Sequence, residues 1–356
     1  MASAFSETDP IADAEALIAQ GDARTAAMQL RARLASGRGG LLARLTLVKA
    51  LLAAGDPDQA LAEARETAAL NSGIAVAALA LGETLLAKGA LPAAIAELQR
   101  ASRLDPALER ARFLTAQAWL EAGEAANALA IFENLEPSPE RDALIGRAQA
   151  IAAAPRSDPG YVRHLFDQFS ADYDNRMLGQ LDYAAPQILK DLADLVMPGR
   201  DRLRVLDLGC GTGLAGLPFK PLATRLTGID LSPAMIEKAR ARGIYDSLVV
   251  GDIETGLGGE HDLILAADTL VYLGALKAVF AAVAAHLTPG GFFLFTAEAK
   301  DGPGFELGPK RRWRHSEAYL RQAAGEAGLA VAGLVSASPR TESHQPVPGF
   351  AVALTR

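Results

Sequence analysis

Val205-Leu206-Asp207-Leu208-Gly209-Cys210-Gly211-Thr212-Gly213 decides how the rest of the chain is read. An apolar run containing the β-branched Val205 stops at glycines in alternate positions, the pattern of a strand emptying into a turn. Without a Cβ, such a turn can take φ > 0, and a ligand can lie against bare peptide. The first-strand glycine loop of a doubly wound sheet binds nucleotides in this way. The spacing is G-x-G-x-G, whereas a pyrophosphate cradle is G-x-G-x-x-G. Asp207 would repel a pyrophosphate but suits the amino group of a zwitterionic ligand.

Asp207 to Gly213 matches E/D-x-G-x-G-x-G position for position, and here the chain resembles the class I S-adenosylmethionine-dependent methyltransferases. The resemblance implies an α/β Rossmann-like domain with a seven-stranded sheet whose last strand is antiparallel. S-adenosylmethionine is the implied cofactor, with Gly209, Gly211 and Gly213 forming its loop. Arg225–Ile229 reads as a second strand ending at Asp230, roughly 20 residues past the loop, where a carboxylate can take both ribose hydroxyls. Leu231 lies beside it. Ser232-Pro233 opens a helix, with Ser232 as N-cap and Pro233 at the first helical position. Leu248–Ile253 looks like the third strand and its exit. By the resemblance, Asp252 accepts from the adenine amino group and Ile253 packs on the ring.

At 356 residues the chain is long enough for two domains. A net charge of −7 argues against a nucleic-acid-wrapping surface. No apolar stretch is long enough to suggest a membrane span. Met1 to Pro10 is acidic and lacks the layout of a secretory signal. A single cysteine, Cys210, excludes an intrachain disulfide, no Cys/His zinc arrangement is present, and a reducing cytoplasm is the expected compartment. With no basic neighbour in sequence, Cys210 reads as a small loop filler and not as a nucleophile.

Residues 1–153 follow a different pattern. Gly21, Gly55, Gly89 and Gly123 are spaced by 34 residues, each with an alanine five positions later (Ala26, Ala60, Ala94, Ala128). Four positions before each stands Leu17, Leu51, Leu85 or Trp119. This period resembles tetratricopeptide repeats, antiparallel helix pairs stacked into a solenoid. Arg33 and Leu135 make the first and fourth repeats less regular, Pro106 falls at the end of the third, and a closing helix is expected at 141–153. The resemblance implies either a protein partner docked by the repeats or self-association and stiffening of the enzyme.

Residues 154–160, with two prolines and a glycine, read as a linker to a second domain over 161–356. Helical spacing over 161–197, broken near Gly179, precedes the sheet. Phe166 to Asp174 looks like the aromatic and Tyr-Asp lid segment of many small-molecule methyltransferases. Tyr173 is placed at the cofactor and its sulfonium, while Phe166 and Phe169 are assigned to packing.

Further strands are expected at His261–Ala267, Phe292–Ala297, Leu329–Ser336 and Gly349–Leu354, with helices over 274–287 and 316–328. The last strand should insert antiparallel between the fifth and sixth. Asp268-Thr269-Leu270-Val271-Tyr272 follows the fourth strand and should face the methyl group. It lacks the N/D-P-P-Y/F signature of nucleic-acid amino methyltransferases, and no acidic metal cluster is evident beyond Asp268, which is assigned to the cofactor's surroundings. Candidate bases for an alcohol acceptor are Tyr272, His315 and, less favoured, Glu298. Lys310-Arg311-Arg312-Trp313-Arg314 is a solvated face or, through Arg312 and Arg314, a hold for an anionic acceptor. The expected activity is methyl transfer to oxygen or another heteroatom of a small, anionic acceptor. The alternatives are a protein or carrier-bound substrate docked by the repeats, and a non-catalytic cofactor-binding scaffold.

Overall fold

Gly21, Gly55, Gly89 and Gly123 adopt φ of 86°, 75°, 71° and 71°. Each ends one helix and releases the chain into the next. At every one the glycine N–H and the following N–H bond back to carbonyls of the last turn: Gly55 to Leu52 at 3.1 Å and Asp56 to Leu51 at 3.0 Å, Gly123 to Leu120 at 3.0 Å and Glu124 to Trp119 at 2.8 Å. This is the Schellman cap, which needs a left-handed residue and so selects glycine. The period therefore repeats a helix stop. The computed structural model describes residues 9–308 and 311–356. Most of Met1 to Pro10, and Lys310 of the basic run, lie outside them.

The chain divides into Met1–Ala153 and Ala154–Arg356. The first unit holds α1 (Pro10–Ala19), α2 (Ala23–Ala35), α3 (Leu41–Ala53), α4 (Pro57–Leu70), α5 (Ala75–Ala87), α6 (Leu91–Leu104), α7 (Glu109–Glu121), α8 (Ala125–Phe132) and α9 (Pro139–Ala153). Each helix packs on the next, and α1, α3, α5, α7 and α9 also touch in succession. Ala26, Ala60, Ala94 and Ala128 are fully buried. A small residue there lets paired helices approach closely.

The second unit begins with α10 (Pro159–Phe169), α11 (Tyr173–Gly179) and α12 (Ala185–Val196). There follow β1 (Leu203–Leu208), β2 (Ala223–Asp230), α13 (Pro233–Arg242), β3 (Ser247–Val250), β4 (His261–Ala266), α14 (Lys277–His286) and β5 (Leu287–Ala299). The chain closes with β6 (Phe305–Leu307), β7 (Trp313–His315), α15 (Glu317–Glu326), β8 (Ala330–Ala337), β9 (Thr341–Glu342), β10 (Gln345–Pro346) and β11 (Gly349–Thr355). The main sheet runs β3-β2-β1-β4-β5-β11-β8. β11 is antiparallel to both β5 and β8, as expected for the last strand. One face packs Phe280 of α14 against Phe293 and Phe295 of β5. On the other, Leu189 and Leu192 of α12 join Leu203, Val205 and Leu263.

Two expectations are corrected. β5 starts at Leu287, before the Phe292 start expected, and takes in Pro289-Gly290-Gly291. The ladder with β4 slips there, between His261↔Leu287 and Leu263↔Phe292, which absorbs the extra residues as an irregularity. The sheet also gains β6 and β7 beyond seven strands. Arg314 and His315 pair in parallel with Glu298 and Ala299, so the end of the basic run is a strand of the sheet. Among the described residues no helix is long and apolar enough to cross a membrane.

Candidate cofactor and acceptor site

The site sits beyond the carboxyl ends of β1, β2, β3 and β4, where the strand order reverses and an open α/β sheet leaves a crevice. Its cavity is open to solvent, with about 650 Å³ of free space counting the open mouth. The glycine loop forms one wall. Gly209, Gly211 and Gly213 take φ of 67°, 53° and 94°, and Gly209 and Cys210 donate to the Ile229 carbonyl at 2.8 and 3.0 Å, drawing the loop against β2. A Cβ on Gly209 would lie 2.4 Å from Thr269, so that glycine lets two strand ends meet. A Cβ on Gly211 would meet nothing within 4 Å. Since Gly211 lines the cavity, a side chain there would take up ligand space.

Asp230 closes the end of β2. Its Oδ2 accepts from Gly211 N at 2.8 Å and its Oδ1 from Ser232 N at 2.8 Å. One carboxylate thus fixes the glycine loop and the start of α13, with lone pairs left for ribose hydroxyls. Burial pushes this carboxyl up to about 6 against the pull of the two N–H donors. Ser232 caps α13 through Met235 N at 3.0 Å, as expected. Leu231, Asp252, Ile253, Asp268 and Tyr173 also line the cavity.

Asp207 and Gly213 are not part of that lining. Asp207 is fully buried behind the loop; its Oδ2 accepts from the Tyr245 hydroxyl at 2.7 Å, and its Oδ1 has no partner. Burial, with Asp230 nearby, pushes its carboxyl up to about 7. A Cβ on Gly213 would lie 2.8 Å from the Tyr245 ring. Cys210 is buried, and burial raises its thiol pKa; it fills the loop as expected.

The lid segment is latched at two points. Asp167 of α10 accepts from the Ser232 hydroxyl, and Asp174 of α11 accepts from the Thr212 hydroxyl and pairs with Arg242. Tyr173 stands edge-on to Phe166 at 6.0 Å, and Phe166 edge-on to Tyr272 at 5.5 Å. Phe166 lines the cavity, contrary to its assignment to packing. Phe169 is 40 % exposed under Arg176 and is not core.

The acceptor side begins at Asp268, a non-glycine residue at φ 57°. Behind it lies a group of buried charges. Arg340, fully buried, pairs with Asp268 and Glu298, and its Nη2 reaches Glu342 at 3.0 Å. Arg312 stands 3.5 Å from Asp268, 3.6 Å from Glu298 and 3.9 Å from Glu342, and Arg314 is 3.5 Å from Glu298. Neither Arg312 nor Arg314 lines the cavity. Glu298, flanked by three guanidiniums, is a counter-ion to Arg340, Arg312 and Arg314.

His315 is fully buried and also absent from the lining. Its Nε2 donates to the Gly274 carbonyl at 3.1 Å, its ring stacks on Tyr319, and burial lowers its pKa to about 4. It is a neutral core histidine between β7 and the turn before α14. Tyr272 does line the cavity, and burial pushes its phenol up to about 12 although Arg312 pulls the other way. It keeps its proton at neutral pH and can donate a hydrogen bond.

Sequence reasoning missed Arg156, Ser157, Val162 and Leu273, all in the lining, and Arg340 behind it. Thr269 joins the β1 and β4 ends, its hydroxyl donating to Leu208 O at 2.9 Å. The stretch 154–160, expected as a linker, is bonded into the second unit: Pro155 O accepts from Gly274 N at 2.8 Å and Ala275 N at 2.9 Å, and Ser157 N donates to Tyr272 O at 2.8 Å.

Residues 205–291, which carry the glycine loop and the walls after β2, β3 and β4, match the family model described as a methyltransferase domain. The chain carries a methyltransferase domain. S-adenosylmethionine is the methyl donor that such domains use. Among curated relatives, methyltransferase-like protein 27 of Homo sapiens is 36 % identical over 104 residues, 29 % of this chain and 42 % of that protein. The ubiquinone biosynthesis O-methyltransferase of Bordetella avium (strain 197N) is 26 % identical over 161 residues, 40 % of this chain and 67 % of that protein. The chain thus spans about half the length of the curated relatives it matches. A solved structure of magnesium protoporphyrin IX methyltransferase from Synechocystis PCC 6803, with bound SAH, is 19 % identical, with a TM-score of 0.46, covering 56 % of this chain and all of that one. The methyltransferase domain's cavity fits the donor where the residues can be tested, because Gly211 leaves it a bare cradle and Asp230 offers a carboxylate beside that cradle.

Proposed function

We propose that the protein transfers a methyl group from S-adenosylmethionine to oxygen or another heteroatom of a small acceptor carrying an anionic group. The observation that carries the reading is the Gly211–Asp230 pair, a side-chain-free cradle pinned to a ribose-binding carboxylate at the switch point of the sheet. Gly209, Gly211, Asp230, Leu231, Asp252 and Ile253 would hold the donor, with Tyr173 and Asp268 closing its methyl end. Asp207 acts from behind the loop by fixing Tyr245. When bound, the donor supplies a methyl already activated on a sulfonium, so the protein's task is to align the acceptor in line and exclude water.

Tyr272 orients the acceptor by hydrogen-bond donation. With His315 and Glu298 both engaged elsewhere, no strong base faces the cavity among the described residues, which suits an acceptor nucleophile that ionises by itself, such as a carboxylate or thiol. Arg312, directly behind the lining residue Asp268, would supply the anion hold to an acceptor that reaches past that wall. Its contacts of 3.5–3.9 Å leave its N–H fork only loosely engaged, so an acceptor anion can compete for it. Arg314 backs it from β7. The test is a screen of carboxylate, thiol and phenol metabolites for methyl uptake with the full chain. Transfer to anionic acceptors supports the reading, and donor binding without transfer to any acceptor favours a scaffold.

A second reading concerns the first unit. Four Schellman stops at a 34-residue period support a tetratricopeptide array. Such an array would dock a protein or a carrier-bound substrate. Removal of residues 1–153 separates the two, since a small-molecule methyltransferase keeps its activity and a carrier-directed one loses it.

A further inference from the structure

Among the described residues, Arg156 is the one cationic side chain lining the cavity, whose lining also includes Asp230, Asp252 and Asp268. A cation there would repel a sulfonium unless its charge were spent on something else. It is spent on the exit of β3. Its Nη2 donates to Asp252 Oδ2 at 2.9 Å, and its Nη1 pairs with Glu254. All three side chains are 13–23 % exposed, where charge-assisted contacts exceed those of a surface pair. Asp252 has its other oxygen committed as well, Oδ1 accepting from Glu254 N at 3.0 Å. The carboxylate is therefore clamped from both sides in one orientation.

The backbone carrying Arg156 is held just as firmly. Arg156 bridges Leu273 in an antiparallel β-bridge, and the bonds from Pro155 and Ser157 tie it to residues 272–275 on either side. The close approach is built in, since a Cβ on Gly274 would stand 2.7 Å from the Pro155 carbonyl. One short strap thus runs from the segment after β4, at the acceptor end, to Asp252 and Glu254, at the adenine end.

We propose that Arg156 is a positioning residue for cofactor recognition: it orients the Asp252 carboxylate toward the adenine amino group and, through the strap at 155–157, closes that end of the cavity. This rests on reading the cavity as the donor site. The strap lies outside residues 205–291, which match the methyltransferase model.

The test uses S-adenosylhomocysteine and its purine counterpart lacking the 6-amino group as probes, titrated calorimetrically into the full chain. Wild type should bind the amino form tighter by about 10-fold or more, the scale of one hydrogen bond to a charged acceptor. Arg156→Ala should weaken the amino form about 10- to 30-fold and collapse that preference to within about 2-fold, because a loose Asp252 no longer favours one orientation. Arg156→Lys should restore part of the preference by keeping one donor. Glu254→Gln, which leaves Arg156 on Asp252, should keep the preference and so distinguishes aiming of Asp252 from general damage. If Arg156→Ala retains the wild-type preference, the inference is wrong. If wild type binds neither probe, the donor-site reading fails first, and the two failures are thereby distinct.

Discussion

The two ends of the cavity are built by opposite means. The donor end uses backbone and strand-end carboxylates close together in sequence: the glycine loop after β1, Asp230 two residues before its Ser232 partner, and Asp252 two before Glu254. The acceptor end uses side chains from distant segments, in which Arg340, Arg312, Glu298 and Asp268 meet from four loops and strands. The donor end needs a shape that accepts one fixed molecule, and bare peptide supplies it. The acceptor end is a balanced set of buried charges, and such sets lose much when one member is removed.

If this contrast is right, the largest effect should come from the donor end. Gly211→Val should reduce S-adenosylhomocysteine affinity more than 100-fold, because the side chain projects into the cavity, while the left-handed backbone costs the fold ~1–2 kcal/mol. Calorimetry gives the affinity, and a thermal melt close to wild type shows that the fold persists. Asp230→Ala should weaken the same binding by about 1.5–3 kcal/mol, since it removes a charged acceptor from the ligand and frees the Gly211 and Ser232 N–H groups.

Replacing Arg312 and Arg314 together by Ala should lower kcat/KM for an anionic acceptor about 10- to 100-fold while donor affinity stays within about 2-fold. Equal loss of both would show that the charge cluster supports the whole cavity and not the acceptor alone.

pH should separate binding from stability. Asp230 is raised to about 6, so donor affinity should fall roughly 10-fold as pH drops from 7 to 5 and its carboxylate protonates. The contribution to folding runs the other way. Asp207 and Asp230 have folded pKa values raised to about 7 and about 6 from 3.8. The stability they contribute is fully present below the unfolded value and is lost as pH rises through the folded ones. Titrations and melts of the ligand-free chain between pH 4 and 8 check both signs, and Asp230→Asn should flatten the binding profile.

The smallest catalytic effect should be that of His315→Ala, with kcat within about 3-fold of wild type and no altered pH profile, while the melting temperature falls because a buried, stacked ring is lost. A large kcat loss rescued at higher pH would return His315 to the role of base.

How far the sequence could be read follows the same contrast. The helix stops at Gly21, Gly55, Gly89 and Gly123 and the Ser232 cap were legible because each is a local backbone requirement with its own residue type, whereas the strand order came from the family resemblance. Gly211, Asp230 and Asp252 were legible for the same reason, standing where strands end. Arg340 was not, because a lone arginine between β8 and β9 gains its meaning only when Asp268 and Glu298 are brought to it. His315 and Arg312 looked alike as polar residues in a basic run, and only the pairing of β7 with β5 tells that His315 is turned into the core. Arg156 was hidden in a Pro/Gly-rich stretch whose composition speaks of a linker, while its backbone is paired with residues more than a hundred positions away.

The most direct test of the central claim is a calorimetric titration of the full wild-type chain with S-adenosylhomocysteine at pH 7.5, repeated with Gly211→Val. One-to-one binding by the wild type, lost in a variant that still melts cooperatively within roughly 10 °C of it, is the predicted result. Absence of binding by the wild type, or equal binding by both proteins, would contradict the assignment of this cavity to the methyl donor.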